Sequence, residues 1–361
     1  MPQYFKYVVI LFGLSLFVFT LYIGRNIIVP VYVASLLSWL MVPFSEILEK
    51  KGVSRKMGAI LSILVIIIFI ALITWFFVTQ MRGVTSDLDV MQQKLIEFKQ
   101  GVFTYAEQRF GLTESQLQGA SQRISENVKN FVMGFGSVAS SLFIASILLP
   151  MSMYFFMAYR SFYRDFLHRL TKRSDKPKIK ETIEKETDVV RKYLLGILAV
   201  VAILSVCNVT ALTIIGVEHA LLFGVVAALL NIIPVVGTIV GSLLPIIYTL
   251  IMKDSIMPAI IVALYFWIIQ LLESGLITPN VVGKRMGVNP YAVLLAIFIG
   301  GAVWGPVGMV LFIPLTAQLK ELCTVVEPLK PFGFVLSDPE EDKKTLGDNI
   351  KEWWQKKSGK T

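Results

Sequence analysis

Apolar positions in this chain fall in long blocks rather than in the short alternations of a soluble domain. Residues 7–24, 27–44, 57–79, 137–159, 193–215, 219–250, 256–272 and 290–319 are near-continuous apolar runs. Most approach or exceed the length of about 20 apolar residues that a helix needs to cross a bilayer. Two are overlong and interrupted. The run 219–250 carries no charge. As one helix it would extend about 47 Å, against a hydrocarbon core of about 30 Å. Asn231, Pro234 and Gly237 break it in the middle, and Pro245 lies near its far end. Proline removes a backbone donor and glycine lets the chain reverse. The run 290–319 repeats the plan, with Gly300, Gly301, Gly305, Pro306 and Gly308 at its centre and Pro314 beyond.

This pattern predicts either two helical hairpins or two long kinked spans. Backbone opened at membrane depth must be buried in protein or line a wet cavity, and paired broken helices mark the binding site in many transporters. On the hairpin reading the two segments dip in from opposite faces and their tips meet near the midplane. The expected substrate site then comprises Asn231, Pro234, Gly237 and Thr238 from one hairpin and Gly305, Pro306 and Gly308 from the other. Backbone groups freed at the breaks would supply donors and acceptors there.

Polar segments between the runs set the topology. The loop at 45–56 holds Lys50, Lys51, Arg55 and Lys56, and the segment from Arg160 to Lys192 holds eleven basic and six acidic residues, so both are expected on the cytoplasmic side. The Arg160, Arg164, Arg169, Lys172 and Arg173 cluster begins at the membrane edge, which points to anionic lipid rather than nucleic acid. Residues 80–131 balance six basic against six acidic side chains. There Leu88, Met91, Leu95, Phe98, Val102 and Tyr105 form a narrow helical seam, and Thr113 with Gln116 forms a capping box. This predicts a small extracytoplasmic helical insertion whose seams pack on each other or on a neighbouring subunit. The expected fold is therefore all-α and polytopic, with two broken or re-entrant hairpins. Its parts are three N-terminal spans (1–79), the insertion (80–131), a fourth span (132–159), basic interfacial helices (160–192), a transport core (193–320) and a polar cytoplasmic tail (321–361). The first run is expected to be a retained helix, because a second span follows it at once.

Composition agrees: the 361 residues are 55% hydrophobic and 16% charged, and the net charge of +9 is accounted for by loops beside apolar spans. Two cysteines and two histidines give no disulfide framework and no metal site, and no cofactor is expected. The motifs of zinc hydrolases, serine hydrolases and nucleotide-binding loops are missing, which argues against an enzyme. One polar cluster stands out. The run 256–272 ends in Gln270, Glu273, Ser274, Thr278 and Asn280. A carboxylate at the end of an apolar span is costly unless it is solvated or functional. Glu273, with Gln270 and Ser274, is the candidate for ion coupling.

The stretch Asn231-Ile-Ile-Pro234-Val-Val-Gly237, the segment from Glu273 to Pro279, and Gly283, Pro290, Gly300, Gly301, Trp304, Gly305, Gly308 and Pro314 resemble the signature of the autoinducer-2 exporter family. The resemblance covers roughly residues 5–325 and is most specific in the last third. Where that family often has histidine, this chain has Asn289. The resemblance implies a multi-pass transporter of the bacterial inner membrane that assembles as a homo-oligomer, with a pentamer as the expected number. The implied function is export of a small polar solute, an autoinducer-2-like signal, and the opposed hairpins add the expectation of alternating access by an elevator-like, ion-coupled movement, with H+ or Na+ as the ion. A sodium(lithium)/proton antiporter is the alternative, and a channel or a non-transporting scaffold comes after it.

Overall fold

A computed structural model describes residues 3–86, 90, 93–94, 146–169, 176–234, 236–253, 255–281, 287–325 and 329–338. Most of the expected insertion at 80–131, the Lys284–Arg285 loop and the tail past residue 338 lie outside the described residues. The described chain is helical. Its elements are α1 (Gln3–Ile23), α2 (Arg25–Lys50), α3 (Arg55–Ser86), α4 (Ser146–Ala158), α5 (Arg160–Arg169), α6 (Lys176–Ile215), α7 (Ala220–Leu230), α8 (Val236–Met252) and α9 (Met257–Leu272). A π turn at Glu273–Ile277, then α10 (Thr278–Val281), α11 (Pro290–Val325) and α12 (Lys330–Leu336) complete it. Among the described residues the one β feature is an isolated bridge between Val288 and Ser337.

The helices are apolar on their exposed faces as well as on their buried ones. On α3, Ile67, Ile68, Phe69 and Ile70 are all about half exposed, while Ser62 is fully buried. An apolar surface on every side of a helix suits lipid as the solvent. The buried hydroxyls are satisfied within their own helices: Ser38 donates to the Ala34 carbonyl at 2.6 Å and Ser62 to that of Gly58 at 2.8 Å. Five helical stretches are long and apolar enough to cross a membrane: Arg25–Lys50, Arg55–Val84, Thr187–Ile215, Met257–Ile277 and Pro290–Thr324. Pro30 and Pro43 both lie inside α2. Neighbouring helices in a membrane bundle tolerate the lost hydrogen bond.

Segment 219–250 is a hairpin. Asn231 to Pro234 turn the chain, and α8 runs back along α7. A Cβ on Gly241 would lie 3.0 Å from Ala227 Cα, and one on Gly237 would overlap the Leu230 carbonyl. The hairpin's two feet meet, with Lys253 Nζ 3.7 Å from Glu218 Oε1. A segment whose ends meet is not one long kinked span. Segment 290–319 is a hairpin too. Gly305 has φ 65° and ψ −149°, a conformation essentially reserved for glycine, and α11 folds there into two arms. Gly300 and Gly308 then touch backbone to backbone, and Ala292 packs with Ala317.

The long helix α6 supports both hairpins. Its C-terminal half, through Val200, Leu204 and Leu212, carries the first hairpin, α9 and α10. Here α7 crosses so closely that a Cβ on Gly224 would sit 2.6 Å from Val209 Cγ2. Its N-terminal half, through Val190 and Leu194, meets the second hairpin and α2. At the end of α4, Arg160 is held by Glu49 at 2.8 Å and Glu46 at 3.7 Å. That base, expected among lipid-facing residues, instead ties α5 to the foot of α2.

Candidate functional site

The described structure gathers polar side chains from three helices and the turn of the first hairpin. A crevice of about 20 Å³ is lined by Asn208 from α6, Asn231 from the turn, Thr238 and Ser242 from α8, and Gln270 and Glu273 from the end of α9. Leu204, Ala227, Phe266 and Ile269 form its apolar walls. That volume suits about one water.

Each polar group is held by a specific bond. Thr238 Oγ1 donates to Asn231 Oδ1 at 2.7 Å, tying the turn to the first helical residues after it. Tyr265 Oη donates to Asn208 Oδ1 at 2.8 Å, and the Asn208 amide reaches the Gly224 carbonyl at 3.4 Å. The Glu273 carboxylate accepts from Gln270 Nε2 at 2.9 Å and from Thr278 Oγ1 at 2.5 Å. Among the described residues no basic side chain pairs with it. Glu273 also opens the π turn, where the backbone widens from the α-helical repeat. Such turns frequently mark functional sites in helices.

Of the residues expected from sequence, Asn231, Thr238, Gln270 and Glu273 come together in this crevice. Pro234 and Gly237 shape its turn, but donors expected to be free there are paired. The amides of Asn231, Ile232 and Ile233 donate to carbonyls at the end of α7, and those of Val236 and Gly237 to the Pro234 and Ile233 carbonyls. Ser274 points elsewhere, with its hydroxyl bonded to the Gln270 carbonyl at 2.8 Å on an exposed face. Gly305, Pro306 and Gly308 are not brought to the crevice. The second hairpin packs on α1, α2, α6 and α12, and the two tips do not form a shared site. The reason is Trp304. Its Nε1 donates to the Leu21 carbonyl of α1 at 2.9 Å, and its ring lies 6.4 Å from that of Tyr32 and 5.1 Å from that of Phe312. The bulky residue beside the reversal is fixed against α1 and α2, so the tip belongs to them.

Two site residues carried weaker signals. Asn208 is 3% exposed in the middle of an apolar span, where a buried amide is itself a flag. Tyr265 looks like an ordinary aromatic of such a run until its hydroxyl is placed. Asn289 has a structural part: its Oδ1 accepts the Tyr291 amide at 2.9 Å and caps the start of α11.

Apolar helices on all faces, two close-packed hairpins and a polar crevice in an apolar surround define a multi-pass membrane protein. The chain belongs to the AI-2E transporter family, whose sequence profile matches residues 11–327. It is 24% identical over 314 residues to YrrI of Bacillus subtilis (strain 168), a provisionally named transport protein, covering 82% of this chain and 85% of that one. It is 29% identical over 138 residues to the AI-2 transport protein TqsA of Escherichia coli (strain K12), covering 38% of this chain and 40% of that one. Over 109 residues it is 33% identical to YhhT of the same organism, also a provisionally named transport protein, covering 30% of this chain and 31% of that one.

Proposed function

We propose that this chain is a secondary transporter that exports a small polar solute, of the autoinducer-2 type, by alternating access coupled to an ion gradient. The observation that carries the reading is the crevice between the first hairpin and α9. It sets Asn231 and Thr238, on a segment that leaves and rejoins α6 at one end, against the Glu273 carboxylate. A hairpin turn set against a carboxylate supports ion-linked opening. The likeness to a protein named for AI-2 transport supports the solute class. In this reading the chain works in the bacterial inner membrane as a homo-oligomer, and the first hairpin with α9 and α10 slides on α6 as an elevator.

The test is flux in liposomes. Purified protein should move the solute against its gradient when a proton or sodium gradient is imposed. Asn231→Leu keeps a similar volume and removes the amide that Thr238 binds. It should lower flux at least tenfold with the protein still folded. Transport equal to that of the parent would move the site elsewhere. One observation favours a second reading, sodium(lithium)/proton antiport. The crevice has room for a bare cation or one water rather than for an organic solute. Counterflow of sodium and protons without added solute separates the two.

The reading also makes the first hairpin re-entrant. Basic segments put the start of α6 in the cytoplasm, so both feet of the hairpin, Glu218 and Lys253, belong outside. In a variant lacking Cys207 and Cys323, Ser255→Cys should be labelled in whole cells by an impermeant thiol reagent and Lys284→Cys should not. The opposite pattern would remove the re-entrant topology and the elevator built on it.

A further inference from the structure

The short helix α12 lies beyond the second hairpin and has a face that nothing in the described structure covers. Its inner face is firmly attached. A Cβ on Gly333 would stand 3.1 Å from the Thr324 nitrogen, so α12 folds back on the last turn of α11. The Asn289 amide donates to the Leu336 carbonyl at 2.8 Å, and the Asp338 amide to that of Gly287 at 2.9 Å. Leu336 packs on the cluster of Val288, Ala292 and Ala317. The foot of the second hairpin is thus tied at three places to α12.

The outer face is apolar. Phe332, Phe334 and Val335 are 63%, 70% and 67% exposed. At about 100° per residue they fan over the side opposite the buried Gly333. Two large aromatics and a valine uncovered on a seven-residue helix are not a water-facing surface. Leu319 and Leu322 on the final turns of α11 are 51% and 55% exposed as well. The apolar stretch Pro290–Thr324 ends where α12 folds back, and hydrocarbon gives way to headgroups where such a stretch ends. Short helices with an apolar face at that level lie in the interface plane.

We propose that α12 lies flat on the phospholipid surface, with Phe332, Phe334 and Val335 set into the acyl boundary, and anchors the foot of the second hairpin at that depth. The second hairpin is then a fixed part of the protein, in keeping with its packing on α1 and α2. This inference depends on the chain's being a membrane protein and not on which solute it moves.

Spin-label accessibility tests it. The full chain, with Cys207→Ala and Cys323→Ala, carries single cysteines at Phe332→Cys, Phe334→Cys or Val335→Cys. It is reconstituted in vesicles of phosphatidylethanolamine and phosphatidylglycerol. Cys323 is 4% exposed and can stay in place if its replacement unsettles the fold. Each nitroxide is read for collision with oxygen, which concentrates in lipid, and with a water-soluble nickel chelate. The oxygen-to-nickel ratio should be several-fold higher at all three positions than at Lys51→Cys, in the exposed loop after α2. Three independent sites keep the test valid if one variant misfolds. High nickel collision would place the face in water. Low collision with both agents would place it against protein, such as a second copy of this chain. Either result overturns the anchor.

Discussion

Glu273→Gln is expected to abolish gradient-driven flux while leaving the protein folded. The carboxylate accepts two hydrogen bonds, from Gln270 and Thr278, and no described basic residue pairs with it. Glutamine keeps the shape and one acceptor for Thr278, and Gln270 can rotate its amide to meet the new donor. Stability should therefore change by no more than about 1 kcal/mol, the usual worth of one rearranged neutral hydrogen bond. What disappears is the charge on which the proposed ion coupling depends. Concentrative flux should fall at least tenfold, while downhill exchange of solute persists. Thr278→Val, which removes the shorter bond and keeps the charge, should shift the ion dependence without ending transport. Unchanged concentrative flux in Glu273→Gln would take the carboxylate out of the mechanism.

Much of this site was legible because a membrane makes polar residues conspicuous. Asn231, Gln270 and Glu273 stand out in uncharged runs, and the breaks at Pro234 and Gly305 show where the chain turns. What the sequence could not supply was which turn meets which helix. Both hairpins have the same plan, so symmetry suggested that their tips share a site. The outcome rests on Trp304, whose indole finds a carbonyl on α1, and nothing in its sequence neighbourhood identifies that partner. The free donors expected at the first break are absent for a related reason. The turn's amides reach carbonyls of the last turn of α7 and of the turn itself, and a partly buried turn that left them unpaired would be unstable. Asn208 and Tyr265 find each other across two helices, a pairing fixed only by packing.

The hairpins themselves carry the second large effect. Gly308→Ala should severely destabilise the protein, and Gly237→Ala should do the same through the other hairpin. In each case the added methyl meets a backbone carbonyl of the opposite arm, that of Gly300 or of Leu230. A flexible side chain could swing aside, but a carbonyl within a helix cannot move without shifting its arm. Overpacking of this kind costs about 1–3 kcal/mol or more, and it also removes the backbone contact that substitutes for a hydrophobic driving force between helices in lipid. Gly305→Ala should cost about 1–3 kcal/mol for a different reason, because its backbone conformation excludes a side chain although the space around it is open. Gly13→Ala, on α1 with nothing within 4 Å, is the control. It should be neutral or gain up to about 1 kcal/mol from helix propensity. Monodisperse yield and melting temperature in detergent rank the four variants. In a continuous kinked helix residue 308 would lie far from residue 300, and alanine there would behave like alanine at 13. A Gly308→Ala protein as stable as its parent would mean that the arms of α11 are not in backbone contact, and that this segment crosses the membrane instead of folding back within it.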